Sequence, residues 1–180
     1  MVGEMTTFLL MRHGHPDYSS PRRWETRGWG SDLAPLSEAG VEQVTKQLGT
    51  VRAFDPEIVI TSPMTRALQT ALVLRQGSKV PFNVEFDLHE WVPDKTFQWR
   101  TLEEIEALES DYERCHGVYP AGEIRLWETT ESVRRRVFGV LRRYHAYSRV
   151  LAISHAEVIK AVVGVEHIDL AGVVNLELER

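Results

Sequence analysis

The sequence predicts an α/β protein, a three-layer α/β/α sandwich around a mainly parallel, mixed central sheet, as one domain over residues 1–180. Three observations predict it. Short apolar runs recur at Phe8-Leu9-Leu10-Met11, Ile58-Val59-Ile60 and Val150-Leu151-Ala152-Ile153, continuous as in strands buried on both faces. Stretches with helical spacing of apolar residues lie between them, the alternation that gives parallel sheets. The 180 residues, 43% hydrophobic and 26% charged, suit one sizeable core.

The elements follow in order. Phe8–Met11 forms the first strand, ended by Gly14 and Pro16. From His13 to Pro35 the chain is rich in Gly, Pro, Trp and Arg without a period, and loops of that length are often functional. Ser37 caps a helix carrying Val41, Val44, Leu48 and Val51 on one face. Asp55-Pro56 turns into the strand at Ile58–Ile60. Ser62 and Pro63 suit the N-cap and first position of a helix reaching Arg75. Phe82, Val84 and Phe86 alternate as a third strand. Thr101 and Glu104 form a capping box opening a helix with Leu102, Ile105 and Leu108 inward. A further helix spans about Thr130 to Tyr144, facing Val133, Val137, Val140 and Leu141 to the core. After the strand Val150–Ile153 comes a short helix stopped at Gly164, then a strand alternating Val174, Leu176 and Leu178.

Composition narrows the function classes. A formal net charge of −5 argues against a nucleic-acid or anionic-membrane partner. No apolar run approaches the roughly 20 residues of a membrane span, and Met1 to Thr7 does not read as a signal peptide. The single cysteine, Cys115, cannot form an intrachain disulfide, which fits a cytoplasmic setting. Oligomeric state is open, a homodimer being the commonest form.

In open α/β sheets ligands bind beyond the carboxyl ends of the strands. Arg12-His13-Gly14, Thr61-Ser62-Pro63 with Arg66, Leu88-His89-Glu90, and Ser154-His155 follow the four buried strands. Two arginines, two histidines and a carboxylate therefore gather at one sheet edge. Arginines clamp phosphate through planar paired donors. A neutral imidazole attacks phosphorus, a second imidazole hydrogen-bonds the phosphoryl oxygens, and a carboxylic acid protonates the leaving oxygen.

These residues resemble the histidine phosphatase superfamily, the phosphoglycerate mutase-like family. The resemblance rests on Leu10-Met11-Arg12-His13-Gly14, Asp32, Pro35-Leu36-Ser37, Gly40, the block from Ser62-Pro63 through Arg66 to Ala71, Leu88-His89-Glu90, Glu131-Ser132 with Arg136, and Val150 to His155. It implies a phosphoglycerate mutase-like fold and phosphomonoester hydrolysis through a phosphohistidine on His13. Arg12, Arg66 and His155 would bind the phosphate, and Glu90 would be the general acid. Apart from the resemblance, Asp87 and Asp94 lie near enough in sequence to serve in place of Glu90. It implies no metal or organic cofactor. Where the family has an Asn contacting phosphate this chain has Ser19, and Ala156 follows the second histidine in place of the usual Gly. Mutases of the family tend to be longer, so release of the phosphoryl group to water is expected over mutase-type transfer. The partner would be a small phosphorylated substrate or a phosphohistidine protein.

Two other readings compete. His13-Gly14-His15 resembles the His-x-His of metal-dependent hydrolases, where both imidazoles with His155 and an Asp could hold zinc. A non-catalytic phosphate-binding module would keep the same pocket. Arg23, Trp29 and Trp91 are expected at the substrate rim, with Lys95 and Trp99 beside them. His89, His116 and His145 are expected to be surface or packing residues.

Overall fold

A computed structural model describes residues 4–180. Residues 1–3, at the start of the expected domain, lie outside the described residues. Five strands form one sheet: β1 (Met5–Arg12), β2 (Ile58–Thr61), β3 (Phe82–Val84), β4 (Arg149–Ser154) and β5 (Val173–Glu179), in the order β3-β2-β4-β1-β5. The first four run parallel and β5 is antiparallel to β1 at the edge. This is the expected mixed sheet.

Successive side chains of a strand point to opposite faces, so each apolar run supplies two cores. Phe8, Leu10, Ile58, Ile60, Val150 and Ala152 face one side. There they meet α6 (Thr130–Arg142), through Val133, Val137, Val140 and Leu141, and α7 (Ala156–Val163), through Val158, Ile159 and Val162. Leu9, Met11, Val59, Leu151 and Ile153 face the other side, against α2 (Glu38–Lys46), α3 (Leu48–Phe54) and α4 (Thr65–Leu74). Helices thus cover both faces and make the three layers. The remaining helices, α1 (Ser19–Arg23) and α5 (Leu102–Arg114), stand outside this sandwich.

Four expectations about elements need correction. The helix opened by Ser37 breaks at Gln47 into α2 and α3, although Val44 and Val51 still share one core. The helix after β2 begins at Thr65 with Met64 as N-cap, because Met64 is extended (φ −70°, ψ 137°). The third strand stops at Val84, and Phe86 enters a single 3₁₀ turn and is exposed. In α5 the capping box of Thr101 and Glu104 is present, but the helix buries none of its residues and Leu102 is 49% exposed. An amphipathic pattern marks a face without saying what it faces; here Leu102 and Ile105 face a cavity. Among the described residues no helix is long and apolar enough to cross a membrane.

Candidate active site

Strand register brings the two histidines together. Arg12 of β1 pairs with Ser154 of β4, and the His13 backbone N–H donates to the Ser154 carbonyl at 3.1 Å. His13 and His155 therefore leave neighbouring parallel strands at the same level. Their ring centroids are 5.0 Å apart with planes at 62°. Both rings are buried. From the next strand, Ser62 donates its backbone N–H to the Ile153 carbonyl at 2.9 Å, and Arg66 arrives on the first turn of α4.

Hydrogen bonding fixes the form of His13. Its Nδ1 lies 2.7 Å from the Gly14 carbonyl, which only accepts, so Nδ1 carries the proton. Nε2 keeps its lone pair and accepts from Arg66 Nε at 3.1 Å. Burial, with the guanidinium of Arg66, holds the ring well below its ordinary range, at about 3. A neutral, singly oriented imidazole results. Gly14 permits this packing, since a Cβ there would lie 2.6 Å from the Gly40 carbonyl oxygen.

His155 has the complementary arrangement. Its Nε2 lies 2.7 Å from Ser62 Oγ, while Ser62 Oγ also accepts from the Met64 backbone N–H at 3.3 Å. Where the serine proton donates to Nε2, the ring proton sits on Nδ1. That nitrogen is buried and without a partner. Burial, reinforced by Arg66 and His13, keeps this ring neutral as well. Ser62, expected as a helix cap, instead orients a histidine.

Arg66 is almost completely buried. Its Nη1 pairs with Asp32 at 3.0 Å, so Asp32 orients the guanidinium. Burial pushes the Asp32 carboxyl up, against the pull of Arg66. Arg12 Nη1 donates to the Ile168 carbonyl at 2.8 Å, while Arg12 Nε is buried and unpartnered. Glu90 accepts from the Trp91 backbone N–H at 2.8 Å. Burial pushes its carboxyl up to about 7, against that hydrogen bond and Arg66.

Arg12, His13, Arg66 and Glu90 line one cavity of about 1100 Å³. His155, expected to bind the phosphate, is not among the lining residues: it is fully buried with its ring against that of His13, so a phosphoryl group reaches it only where the Arg66–His13 contact opens. Of the carboxylates considered from sequence, Glu90 lies on the cavity. Asp94 does not: its oxygens accept from Thr96 and Gln98 within its own loop. Asp87 is not among the lining residues either.

Ser19 does not line the cavity. It is exposed at the start of α1, with its backbone N–H on Asp17, while the neighbouring Tyr18 faces the cavity instead. Arg23 is likewise exposed and lies over Trp24; Arg22 and Arg27 take the lining positions expected of it. Trp29 and Trp91 line the cavity, with Trp99 and Leu102 beside them; Trp91, expected at the rim, is 6% exposed and packs into the core. Lys95 is not among the lining residues. Trp29 stacks on Phe86 and stands edge-on to His89 at 4.7 Å. His89 is buried beneath them as a packing residue.

For metal binding the ring nitrogens are poorly disposed. His13 Nε2 faces a guanidinium, and His15 Nδ1 lies 3.0 Å from Ser37 Oγ. Among the described residues no group of three or more His, Cys, Asp or Glu side chains is placed to hold a metal ion.

The family model of the histidine phosphatase superfamily, branch 1, matches residues 8–179. The chain belongs to the histidine phosphatase superfamily. The uncharacterized phosphatase PhoE of Bacillus subtilis (strain 168) is 29% identical over 161 residues, covering 88% of this chain and 76% of that protein. The bifunctional protein Rv2228c of Mycobacterium tuberculosis (strain ATCC 25618 / H37Rv) is 30% identical over 165 residues, covering 88% of this chain but only 43% of that protein. Two solved structures share the fold. Mycobacterial glucosyl-3-phosphoglycerate phosphatase Rv2419c with VO3 matches with a TM-score of 0.71 at 20% identity, over 94% of this chain and 92% of that one. Phosphoglycerate mutase from Bacillus anthracis str. Sterne matches with a TM-score of 0.73 at 18% identity, over 98% and 89%. The phosphoglycerate mutase-like sandwich expected from sequence is thus the fold of this superfamily member.

Sequence reasoning missed Asp32 as the partner of Arg66, Ser62 as the partner of His155, and Glu128 as the partner of Arg136. Asp32 and Ser62 were legible as family positions, but their partners were not. Glu128 lies just before the noted Glu131-Ser132 pair and carried no signal of its own.

Proposed function

We propose that this superfamily member is a phosphatase that hydrolyses phosphomonoesters through a phosphohistidine on His13 Nε2. The carrying observation is the tautomer of His13: with Nδ1 donating to the Gly14 carbonyl, the nucleophilic lone pair of the ring is on Nε2, held by Arg66.

In this reading a substrate phosphoryl group takes the guanidinium donors of Arg66 and Arg12. The Arg66–His13 hydrogen bond opens as phosphate oxygens replace it, and Nε2 faces phosphorus. His155 Nδ1–H donates to an equatorial oxygen as charge shifts. The Nε2–P bond forms and the P–O bond to the leaving group breaks. Glu90, kept protonated near neutrality, gives its proton to that oxygen and an alcohol departs. The resulting carboxylate takes a proton from water, whose oxygen attacks phosphorus. The N–P electron pair returns to Nε2, and inorganic phosphate leaves.

A cavity of about 1100 Å³ is far larger than a phosphate. We assign the rest, walled by Tyr18, Trp29, Trp91 and Trp99, to a ring-bearing or anionic leaving group of a small substrate.

Phosphate release from a panel of phosphomonoesters, with EDTA present, tests the reading. Wild type is expected to turn over and His13→Ala to fall to background. Full activity in His13→Ala, or loss of wild-type activity in EDTA, contradicts it.

A further inference from the structure

Glu90 sits on a segment, residues 87–90, that pairs with no strand beyond the 3₁₀ turn, yet four consecutive carbonyls there accept side-chain hydrogen bonds. Arg136 Nη1 donates to Asp87 at 2.5 Å and to His89 at 2.9 Å. Arg136 Nη2 donates to Glu90 at 3.3 Å, and His89 Nδ1 lies 2.7 Å from the same oxygen. Ser154 Oγ donates to Leu88 at 2.8 Å. Ser154 immediately precedes His155, so the segment carrying the carboxyl is tied to the strand carrying the second histidine.

Arg136 is held as firmly on its other edge. Nε and Nη2 grip the two oxygens of Glu128 at 2.9 and 3.0 Å. These two contacts and the three carbonyl contacts account for all five guanidinium N–H groups. Glu128 also accepts from Ser132 Oγ at 3.0 Å. Its backbone brackets the residues after Glu90: its N–H donates to Val92 at 2.9 Å, and its carbonyl accepts from Trp91 Nε1 at 2.7 Å. The pair is nearly buried, with side chains 11% and 8% exposed.

A buried ion pair is weak evidence for stability, because desolvation offsets most of the attraction. A planar fork with every donor committed instead specifies position. We infer that Glu128 and Arg136 are positioning residues for proton transfer: the pair clamps the 87–90 segment so that the Glu90 carboxyl meets the leaving-group oxygen. This rests on the reading of Glu90 as proton donor. Arg136 touches no reacting atom; it acts through the Glu90 peptide.

The leaving group separates this role from a structural one. An alkoxide needs the proton, whereas 2,4-dinitrophenolate departs without it. The readout is kcat/KM, which reports the step of P–O cleavage, for β-glycerophosphate or the fastest alkyl phosphate of the panel and for 2,4-dinitrophenyl phosphate. The enzymes are wild type, Glu90→Gln, Arg136→Met, and the double variant Glu128→Met with Arg136→Met, which leaves no bare buried charge. In all three variants the alkyl phosphate is expected to lose at least tenfold more than the dinitrophenyl ester. If Glu90→Gln shows that difference while both Arg136 variants lose the two substrates alike, or lose neither, the pair supports only the fold and the inference is overturned. If Glu90→Gln shows no difference, the proton-donor reading falls and takes this inference with it, while the role of His13 stands on its own test.

Discussion

His13 Nε2 accepts a hydrogen bond from Arg66 Nε at 3.1 Å, between two residues that are only 5% and 3% exposed. A guanidinium donates five N–H groups in a rigid plane, and this one spends others on Asp32 and on the Met64 sulfur. Lysine keeps the charge but cannot hold these partners together. Arg66→Lys is therefore expected to lower kcat/KM about a hundredfold, equivalent to about 2.7 kcal/mol. Steady-state kinetics on the best substrate of the panel check this, and a change under threefold argues against the fork.

Ser62 orients His155 through the 2.7 Å contact between Oγ and Nε2. Ser62→Ala leaves that nitrogen buried without its partner, at a cost of about 1–3 kcal/mol to the fold. The tautomer with the proton on Nδ1 loses its support, so kcat is expected to fall at least tenfold with little change in KM. Chemical denaturation and kinetics on the same preparation separate the two effects.

The two perturbed groups set a pH profile. His13, at about 3, stays neutral far below the ordinary histidine range, so its protonation does not limit activity until well into acid. Glu90, at about 7, must be protonated to act as an acid, so kcat/KM on an alkyl phosphate falls as pH rises through about 7. Glu90→Gln is expected to abolish that basic limb along with most of the activity. Stability follows the same group. The folded state holds the Glu90 proton more tightly than the unfolded chain, so its contribution is complete below the unfolded value of 4.5 and is lost as pH rises through about 7. Glu90→Gln should therefore gain stability relative to wild type across that window. A gap that widens instead toward low pH contradicts the assignment.

Gly40 packs against the backbone of His15, where an added Cβ would lie 2.2 Å from the carbonyl oxygen and 2.9 Å from the nitrogen. Gly40→Ala must push the segment after His13 outward. It is expected to cost about 1–3 kcal/mol and to lower activity by more than its melting shift accounts for. Calorimetry and kinetics at a temperature where the variant remains folded are the check. Gly49, with nothing near its Cβ position, is the matched control.

Trp29 lines the cavity and Arg23 does not. Trp29→Ala is expected to raise KM severalfold for ring-bearing phosphates, whereas Arg23→Ala should leave kcat and KM within twofold. Equal effects from both contradict the placement of the loop.

The sheet was legible because its strands are buried on both faces, and Phe8–Met11 and Val150–Ile153 need no partner information to be recognised as such. The site was legible in outline because functional groups in this architecture follow the strands. Residues 12, 13, 66, 90 and 155 could be gathered from that rule alone. Loops gave less. Ser19 and Tyr18 are adjacent, and only the path of the chain into α1 decides which faces the cavity. The same holds for Arg22 and Arg23. The capping box at Thr101 reported a helix start from local hydrogen bonding, while the inward face assigned to Leu102 depended on neighbours no local pattern records. Glu128 was invisible for the same reason: its meaning lies in contacts with Val92 and Trp91, 36 and 37 positions away, and, through Arg136, with carbonyls 46 to 49 positions from that arginine.

The most direct test of the central claim is acid quenching against base quenching of the enzyme in turnover, followed by mass spectrometry of its peptides. A phosphoryl group is expected on His13, stable in base and lost in acid, and absent from His13→Ala. A phosphoenzyme on another residue, or turnover with no phosphoryl group on His13 at any quench time, would contradict the account.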